Sequence, residues 1–316
     1  MRPRVKSVLT KLMVISICLI VMTMLAAPVY AYTPTYSEAD IEAAIEKGLE
    51  WLANQQQADG RWNDSSYNYP VAQTGLAVLK LETHAIFMGK NPLDPAYEYS
   101  DNIVAGLEYI FANSFNVTMA VQPAGDPDTN GNGVGVTAYT PGTGGNHEMY
   151  ESGIALMAVC GSNSPGAIVG GGSQAGRNYA DVAQDMVDFI AFAQCDVGSR
   201  APSRGGWRYS RNYWDSDNSI SGYVTLGLAY AEAPSPWGFG AVVTIPPFVF
   251  DEMALFVAAV QDHGGGSDDG GSQYVPVDWP WVNILKTGNL LSELSLVGQG
   301  PGSSNVTDAI DYIERH

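Results

Sequence analysis

Two kinds of amphipathic segment alternate along this chain, and their alternation constrains the fold more than any other feature. One kind carries a hydroxyl residue followed by glycine inside an apolar run. Glycine inside a helix costs about 1 kcal/mol relative to alanine, so four such pairs at one register indicate helices whose backbones pack closely. The pairs are Thr74-Gly75, Ser152-Gly153, Ser221-Gly222 and Thr287-Gly288, which predict inner helices near 71–88, 147–160, 217–232 and 282–297.

The second kind of segment carries more charge and an aromatic-aliphatic pair, often with glutamine five residues after the aromatic. The copies with glutamine are Trp51-Leu52 with Gln56, Phe189-Ile190 with Gln194, and Phe256-Val257 with Gln261. We predict outer helices near 38–57, 99–115, 178–195, 247–262 and 304–316. The alternation indicates an all-α array of about nine helices, joined as helical hairpins.

Two segments show a resemblance to a known family. The segment GLEWLANQQQADGRW at 48–62 resembles the QW-type repeat of the prenyltransferase and squalene-cyclase superfamily, and GGWRYSRNYWDSDNSISGYVTLGLAYAE at 205–232 resembles its repeat turn and inner helix. The resemblance covers nearly the whole mature chain and implies an α/α toroid with a central ligand cavity. The last outer helix lacks an inner partner before His316, which leaves an open toroid and a fragment of a longer protein as two interpretations.

The N-terminal residues 1–31 have the pattern of a secretory signal peptide. Four basic residues precede an apolar run from Met13 to Ala26, and small residues follow at the cleavage position. We therefore expect a secreted, extracellular protein with a single toroid domain at 32–316, and no membrane span in the mature chain. Without the signal the net charge is −22, which argues against binding nucleic acid or an anionic membrane. Cys160 and Cys195 remain, either as a disulfide or as two buried thiols.

The resemblance directs attention to one acidic cluster. Class II cyclases of this superfamily use a DxDD motif whose middle aspartate protonates the substrate, and Asp215-Ser216-Asp217-Asn218 is the nearest match. Asparagine replaces the last aspartate, which weakens the catalytic interpretation because a neutral general acid needs neighbouring acids. The structural alternative is that Asp217 is the N-cap of the following helix.

Aromatic residues in the turns before the predicted inner helices are the candidate ligand contacts. Aromatic faces stack on sugars or stabilise cations, and packing between repeats is the alternative for Trp207. Acidic residues at a helix start also interact favourably with the helix dipole, which is the alternative for Glu151. The candidates are Trp207, Tyr209, Tyr213, Trp214, Tyr150 and Glu151.

A loop rich in Asp, Asn and Gly is a candidate calcium site. Asp126, Asp128, Asn130 and Asn132 occupy alternate positions with Gly131 at the sixth, like the start of an EF-hand loop. Thr137 stands where that loop has its bidentate glutamate. A turn without metal is the alternative, because Asn and Gly favour turns in any case.

The leading functional hypothesis is a secreted repeat protein that binds a small molecule, glycan or protein in or at the toroid cavity, without an intact cyclase or prenyltransferase motif. One alternative is a terpene cyclase-like isomerase that uses Asp217. The other is a secreted carbohydrate-active enzyme on the same fold, which needs a carboxylate or tyrosine base near a basic clamp. Arg204, Arg208 and Arg211 supply positive charge beside Tyr209 and Tyr213.

Overall fold

A computed structural model describes residues 36–64, 68–276 and 281–316, so the predicted signal peptide lies outside the described residues. Within these ranges the chain forms nine α-helices and one two-stranded sheet. The helices are α1 (Glu38–Asn54), α2 (Pro70–Phe87), α3 (Ser100–Ala112), α4 (Glu148–Gly161), α5 (Tyr179–Ala193), α6 (Asn218–Glu232), α7 (Pro247–Val260), α8 (Ile284–Leu296) and α9 (Ser304–Arg315). The predicted positions of all nine are confirmed, because each boundary falls within about three residues of its prediction. No helix among the described residues is long and apolar enough to cross a membrane.

The contacts divide the chain into two compact units, one ending at Glu50 and one comprising Trp51–His316. The described part of the first unit is the beginning of α1, whose residues are mostly exposed. The remaining helices all belong to the second unit, and the sites discussed below lie there.

The inner helices of the second unit pack side by side in chain order, α2 against α4, α4 against α6, and α6 against α8. The outer helices α3, α5 and α9 pack on α2, α4 and α8, respectively. Helix α4 is buried on nearly all sides, as expected for a segment with neighbours on both flanks and an outer helix behind it. The helices predicted to be inner thus contact one another in series, and three of those predicted to be outer pack on them.

Three of the four predicted glycine contacts are present. A Cβ atom placed on Gly75 would lie 2.7 Å from Cγ2 of Ile154 in α4, and one on Gly153 would lie 2.9 Å from the backbone oxygen of Tyr223 in α6. A Cβ atom on Gly222 would lie 2.6 Å from Nδ2 of Asn289 in α8. Glycine at these positions therefore permits a helix approach that alanine would obstruct. Gly288 is the exception, with no described heavy atom within 4 Å.

The hydroxyl that precedes each glycine has its own structural role. Every one accepts a hydrogen bond, 3.0 Å long, from a backbone N–H of the segment leading into its helix. The donor and acceptor pairs are Trp62 and Thr74, Ala138 and Ser152, Trp207 and Ser221, and Ser272 and Thr287. Each hydroxyl thus satisfies a buried backbone donor that secondary structure leaves without a partner.

The recurring glutamines join each turn to the next outer helix. The side-chain amide of Gln56 donates to the carbonyls of Gly60 and Asn102, at 2.8 and 2.9 Å. Gln194 and Gln261 repeat this arrangement, each donating to a glycine carbonyl in its turn and to a carbonyl near the start of α7 or α9. The turn glycines have positive φ, so the glutamine-to-glycine spacing in the sequence marks a structural repeat.

The described residues are mostly helical, which is compatible with the predicted all-α class, and they include one small sheet. Strands β1 (Ser114–Thr118) and β2 (Val134–Ala138) form an antiparallel hairpin, and β2 packs on α5. The hairpin takes the place of the glycine-aromatic turn before α4, and Ala138 at its end supplies the N–H that Ser152 accepts. Of the two alternatives for the cysteines, the disulfide is wrong, because Cys160 and Cys195 are free and buried.

Candidate functional site

A row of aromatic rings crosses the N-terminal ends of the inner helices. Tyr69 immediately precedes α2, His147 immediately precedes α4, and their ring centroids lie 4.3 Å apart. The ring of Tyr209, in the turn before α6, lies 4.9 Å from that of His147. Tyr274, in the segment before α8, continues the series: its hydroxyl lies 3.4 Å from that of Ser219 in α6, and its proximity contributes to the raised pKa of Tyr209. We call these four residues the aromatic row; all four are half-buried.

Two cations border the aromatic row. The guanidinium carbon of Arg208 lies 5.1 Å from the ring centroid of Tyr209, and Nζ of Lys286 lies 4.8 Å from that of Tyr274. Burial lowers the pKa of Lys286, with the neighbouring carboxyl groups of Asp217 and Glu293 acting in the opposite direction. These cation–π contacts hold charged groups against one side of the row and help to fix the ring orientations.

The imidazole of His147 is held between two tyrosine rings. Burial lowers its pKa, which favours the neutral ring at neutral pH. Burial also raises the pKa of Tyr209, with the nearby carboxylate of Asp217 contributing in the same direction. The pKa shifts of His147 and Tyr209 therefore favour the neutral forms of these two side chains at neutral pH.

Directly behind the row, Asp217 has the N-cap role that the sequence predicted. Its Oδ1 accepts the N–H of Ile220 at 2.9 Å and the hydroxyl of Ser219 at 2.6 Å. Its Oδ2 lies 3.0 Å from Nη1 of Arg208. Asp217 is completely buried, so it both begins α6 and anchors the cation beside Tyr209.

Asp215 is also buried, but its contacts differ from those of Asp217. It accepts the hydroxyl of Ser203 at 2.7 Å and the N–H of Ser216 at 2.9 Å, and its other oxygen lies 4.0 Å from Arg208. The two aspartates of the DxDD-like segment therefore both face Arg208. Their catalytic role stays a prediction.

The two glutamates at the start of α4 are buried and fully engaged. Glu151 accepts the hydroxyl and the N–H of Thr140 at 2.5 and 3.1 Å, and burial raises its pKa. Glu148 pairs with the guanidinium of Arg211 and accepts the hydroxyl of Thr137. Both carboxyl groups tie α4 to the segment before it, and Glu151 has no exposed surface to offer a ligand.

The other predicted aromatic contacts are not members of the row, although Tyr150 packs on the same apolar cluster as Tyr69. Trp207 is completely buried, and its Nε1 donates to the carbonyl of Ile190 at 3.0 Å, which agrees with the packing alternative. Tyr150 is half-buried against Tyr223 of α6, with ring centroids 4.4 Å apart. Tyr213 and Trp214 form a separate exposed pair whose ring centroids are 6.0 Å apart.

Three members of the row were not predicted from the sequence, namely Tyr69, His147 and Tyr274. A positional signal was available, because Tyr69 and His147 each stand one residue before an inner helix and Tyr274 follows a repeat turn. The chemical identities differ between repeats, so a search for identical residues at equivalent positions does not find them.

The calcium candidate loop is folded onto α5. The Asp128 carboxylate accepts the N–H groups of Gly131, Asn132 and Gly133 at distances between 2.7 and 3.2 Å. The amide nitrogens of Asn130 and Asn132 donate to Asp185, at 2.7 and 3.0 Å. The side-chain amides of the loop thus donate to Asp185 of α5, and the Asp128 carboxylate stabilises the loop backbone.

This geometry does not present a calcium coordination sphere, which takes about six to eight oxygen ligands. The other oxygen of Asp185 accepts the guanidinium of Arg177 at 2.7 Å, so the charge of this aspartate is already compensated. No group of three acidic, histidine or cysteine side chains in the described part of the chain converges as metal ligands do. Calcium binding at Asp126, Asp128, Asn130 and Asn132 stays a prediction, tested by whether calcium raises the melting temperature.

Comparison with known proteins adds no assignment to this geometry. No family model matches the chain, and no curated protein matches it. Function must therefore be argued from the arrangement of the residues themselves.

Proposed function

We propose that the chain is a secreted binding protein of the prenyltransferase and squalene-cyclase repeat type, with its helices arranged as an α/α toroid. We further propose that it binds a sugar-bearing ligand across the aromatic row. The observation that carries the proposal is the row itself, in which half-buried rings before successive inner helices lie 4.3 and 4.9 Å apart and are tilted against one another.

The chemistry of the row favours a sugar over a hydrocarbon. Sugar rings have apolar faces that stack on aromatic rings and hydroxyl groups that hydrogen-bond to polar tips. Tyr209, His147 and Tyr274 supply both kinds of contact. An isoprenoid would cover the charged groups of Arg208 and Lys286 without offering them hydrogen bonds, which is costly.

The raised pKa of Tyr209 and the ion pair of Arg204 favour binding over catalysis. A tyrosine that acts as a general base needs a pKa near the working pH, whereas burial raises that of Tyr209. Arg204, one of the candidate basic residues, pairs with Glu252 of α7. These contacts support a fixed surface rather than a reacting centre.

A terpene cyclase-like isomerase that uses Asp217 is the second candidate. The complete burial of Asp217 behind the row favours it, because class II cyclases enclose their acid. Its capping bond to Ile220 and its pairing with Arg208 give the same residue a sufficient structural role. This candidate predicts that Asp217→Asn abolishes isoprenoid turnover while the melting temperature is largely retained.

The binding proposal is tested on a glycan array with the secreted 32–316 protein and two variants. Tyr209→Ala removes a central ring of the row, and Trp214→Ala removes an exposed ring outside it. We expect Tyr209→Ala to weaken binding about tenfold or more, the effect of losing about 1.4 kcal/mol, and Trp214→Ala to retain it. The reverse order of effects, or no glycan bound by the parent protein, would contradict the proposal.

A further inference from the structure

Lys286 is a half-buried cation at one end of the aromatic row. Its Nζ lies 4.8 Å from the ring centroid of Tyr274. Within the described ranges, no carboxylate oxygen lies within 4.0 Å of this nitrogen, and the ammonium group donates no hydrogen bond. Burial lowers the pKa of Lys286, so the ammonium group has lost contact with water without gaining an ion pair in return.

The half-buried arginines Arg177 and Arg208 form ion pairs, whereas Lys286 does not. Arg177 pairs with Asp185 at 2.7 Å. Arg208 pairs with Asp217 at 3.0 Å. Such pairs are usual for cations that have lost part of their hydration, because a buried charge without a partner is costly. Lys286 departs from this pattern beside the surface that we propose binds a ligand.

The neighbouring carboxyl groups do not neutralise the charge of Lys286. Those that act on its pKa belong to Asp217 and Glu293. Asp217 is completely buried and pairs with Arg208, which is the nearer cation. Glu293 is also completely buried, and burial raises its pKa to about 8, which favours the uncharged form at neutral pH. The positive charge of Lys286 is therefore largely uncompensated.

The exposed charge beside the row is unlike that of the chain as a whole. The chain has 33 acidic and 15 basic residues, so most of its surface repels anions. Beside the row, Asp217 and Glu293 are buried, whereas Arg208 and Lys286 keep exposed surface. Salt screens charges more than about 8 Å away at physiological ionic strength, so these two cations dominate the field that a bound ligand meets.

We propose that the sugar-bearing ligand of the aromatic row is anionic and that its acidic group pairs with Lys286. This inference rests on the proposed function, because it names the class of sugar that the same surface binds. Since Nζ lies over the ring of Tyr274, the acidic group belongs to a sugar unit at this end of the row. An ammonium group is a compact point charge, so a carboxylate or a sulfate group satisfies it equally well.

Matched oligosaccharides test whether charge is recognised. Each neutral hexose oligosaccharide on a glycan array is compared with the corresponding hexuronate and with the 6-sulfated form. We expect the 32–316 protein to bind one or both acidic forms about tenfold or more tightly than the neutral form, the effect of a charge-assisted hydrogen bond. The form that binds more tightly identifies the acidic group. High salt should reduce this preference.

Substitutions of Lys286 separate its charge from its shape. Lys286→Met keeps the apolar stem, so we expect it to lose the preference for acidic sugars and to retain binding of the neutral form. Lys286→Arg should keep the preference. The matched control is Lys90→Met, because Lys90 lies beyond the opposite end of α2 with its Nζ 5.7 Å from the ring centroid of Tyr97. This control should bind like the parent protein.

The results that overturn the inference differ from those that overturn the proposed function. Equal affinity of the parent protein for neutral and acidic forms, or tighter binding of the neutral form, would overturn the inference and leave the sugar-binding proposal intact. An equal loss of both forms in Lys286→Met would also overturn it, because the lysine would then act through the shape of the row. A parent protein that binds no oligosaccharide would overturn both.

Discussion

Glu293 is a fully buried carboxyl group on α8, and neither of its oxygens has a hydrogen-bond partner within the described chain. Burial raises its pKa to about 8, and the positive charge of Lys286 offsets only part of this effect. Asp188 on α5 shows the same effect of burial with more donors around it. It accepts hydrogen bonds from Thr129 and Gln184, and its pKa is still raised to about 7. Burial thus shifts both of these acids toward the protonated form.

The pKa of Glu293 predicts a fall in stability with rising pH. An unfolded chain ionises this group near its ordinary value of 4.5, while the folded chain keeps the proton up to about 8. The unfolded state therefore binds fewer protons between these values, and the free energy of unfolding falls by up to about 1.4 kcal/mol per pH unit. We expect Glu293→Gln, which resembles the protonated acid, to reduce this slope in melting curves between pH 5 and 9.

The control for this measurement is Glu314→Gln, because Glu314 is exposed at the end of α9. Asp188 also contributes to the slope, so the informative quantity is the difference between parent and variant. Identical slopes for the parent and Glu293→Gln would show that Glu293 is not protonated in the folded protein at neutral pH.

At the scale of elements, the hydroxyl-glycine pairs explain why sequence patterns located the helices well. The hydroxyl of each pair accepts a backbone N–H from the segment before its helix, so the pattern marks a specific position in the fold and not only a hydrophobic helix. The hairpin was missed for the opposite reason. Its strands have five residues each, and β1 alternates only weakly between buried and exposed positions. Strands of that length are set by pairing with a distant partner, which local patterns do not encode.

The same reasoning explains what was and was not predicted at the site. The N-cap at Asp217 is a local interaction with a residue three positions later, and the sequence alone indicated it. The aromatic row depends on rings brought together from four separate turns. No local spacing relates Tyr69 to His147 or His147 to Tyr209, so the row became visible only once the inner helices were placed side by side.

The glycines of the inner helices predict opposite effects of the same substitution. Alanine at position 153 places a methyl group 2.9 Å from the backbone oxygen of Tyr223, and such overpacking costs about 1–3 kcal/mol. A methyl group at position 288 has no neighbouring atom within 4 Å among the described residues outside its own helix backbone, so alanine gains about 1 kcal/mol of helix propensity there. We expect chemical denaturation to give lower stability for Gly153→Ala and higher stability for Gly288→Ala, and equal destabilisation by both would contradict the packing described.

At the scale of the whole molecule, the repeats serve two purposes. The glutamines, turn glycines and hydroxyls hold each hairpin to its neighbours through the same few hydrogen bonds. That regular packing brings the starts of the inner helices together, so residues that differ between repeats become adjacent. The constant positions thus make the scaffold, and the variable positions Tyr69, His147, Tyr209 and Tyr274 make the surface that we propose binds a ligand.

Mass spectrometry of what co-purifies with the 32–316 protein tests the binding claim most directly. Bound compounds would be released first by mild denaturation in water and then by organic extraction, with Tyr209→Ala prepared in parallel. We predict a sugar-bearing compound in the aqueous fraction of the parent protein, reduced in the variant. An isoprenoid in the organic fraction of the parent would contradict the proposal and return attention to Asp217.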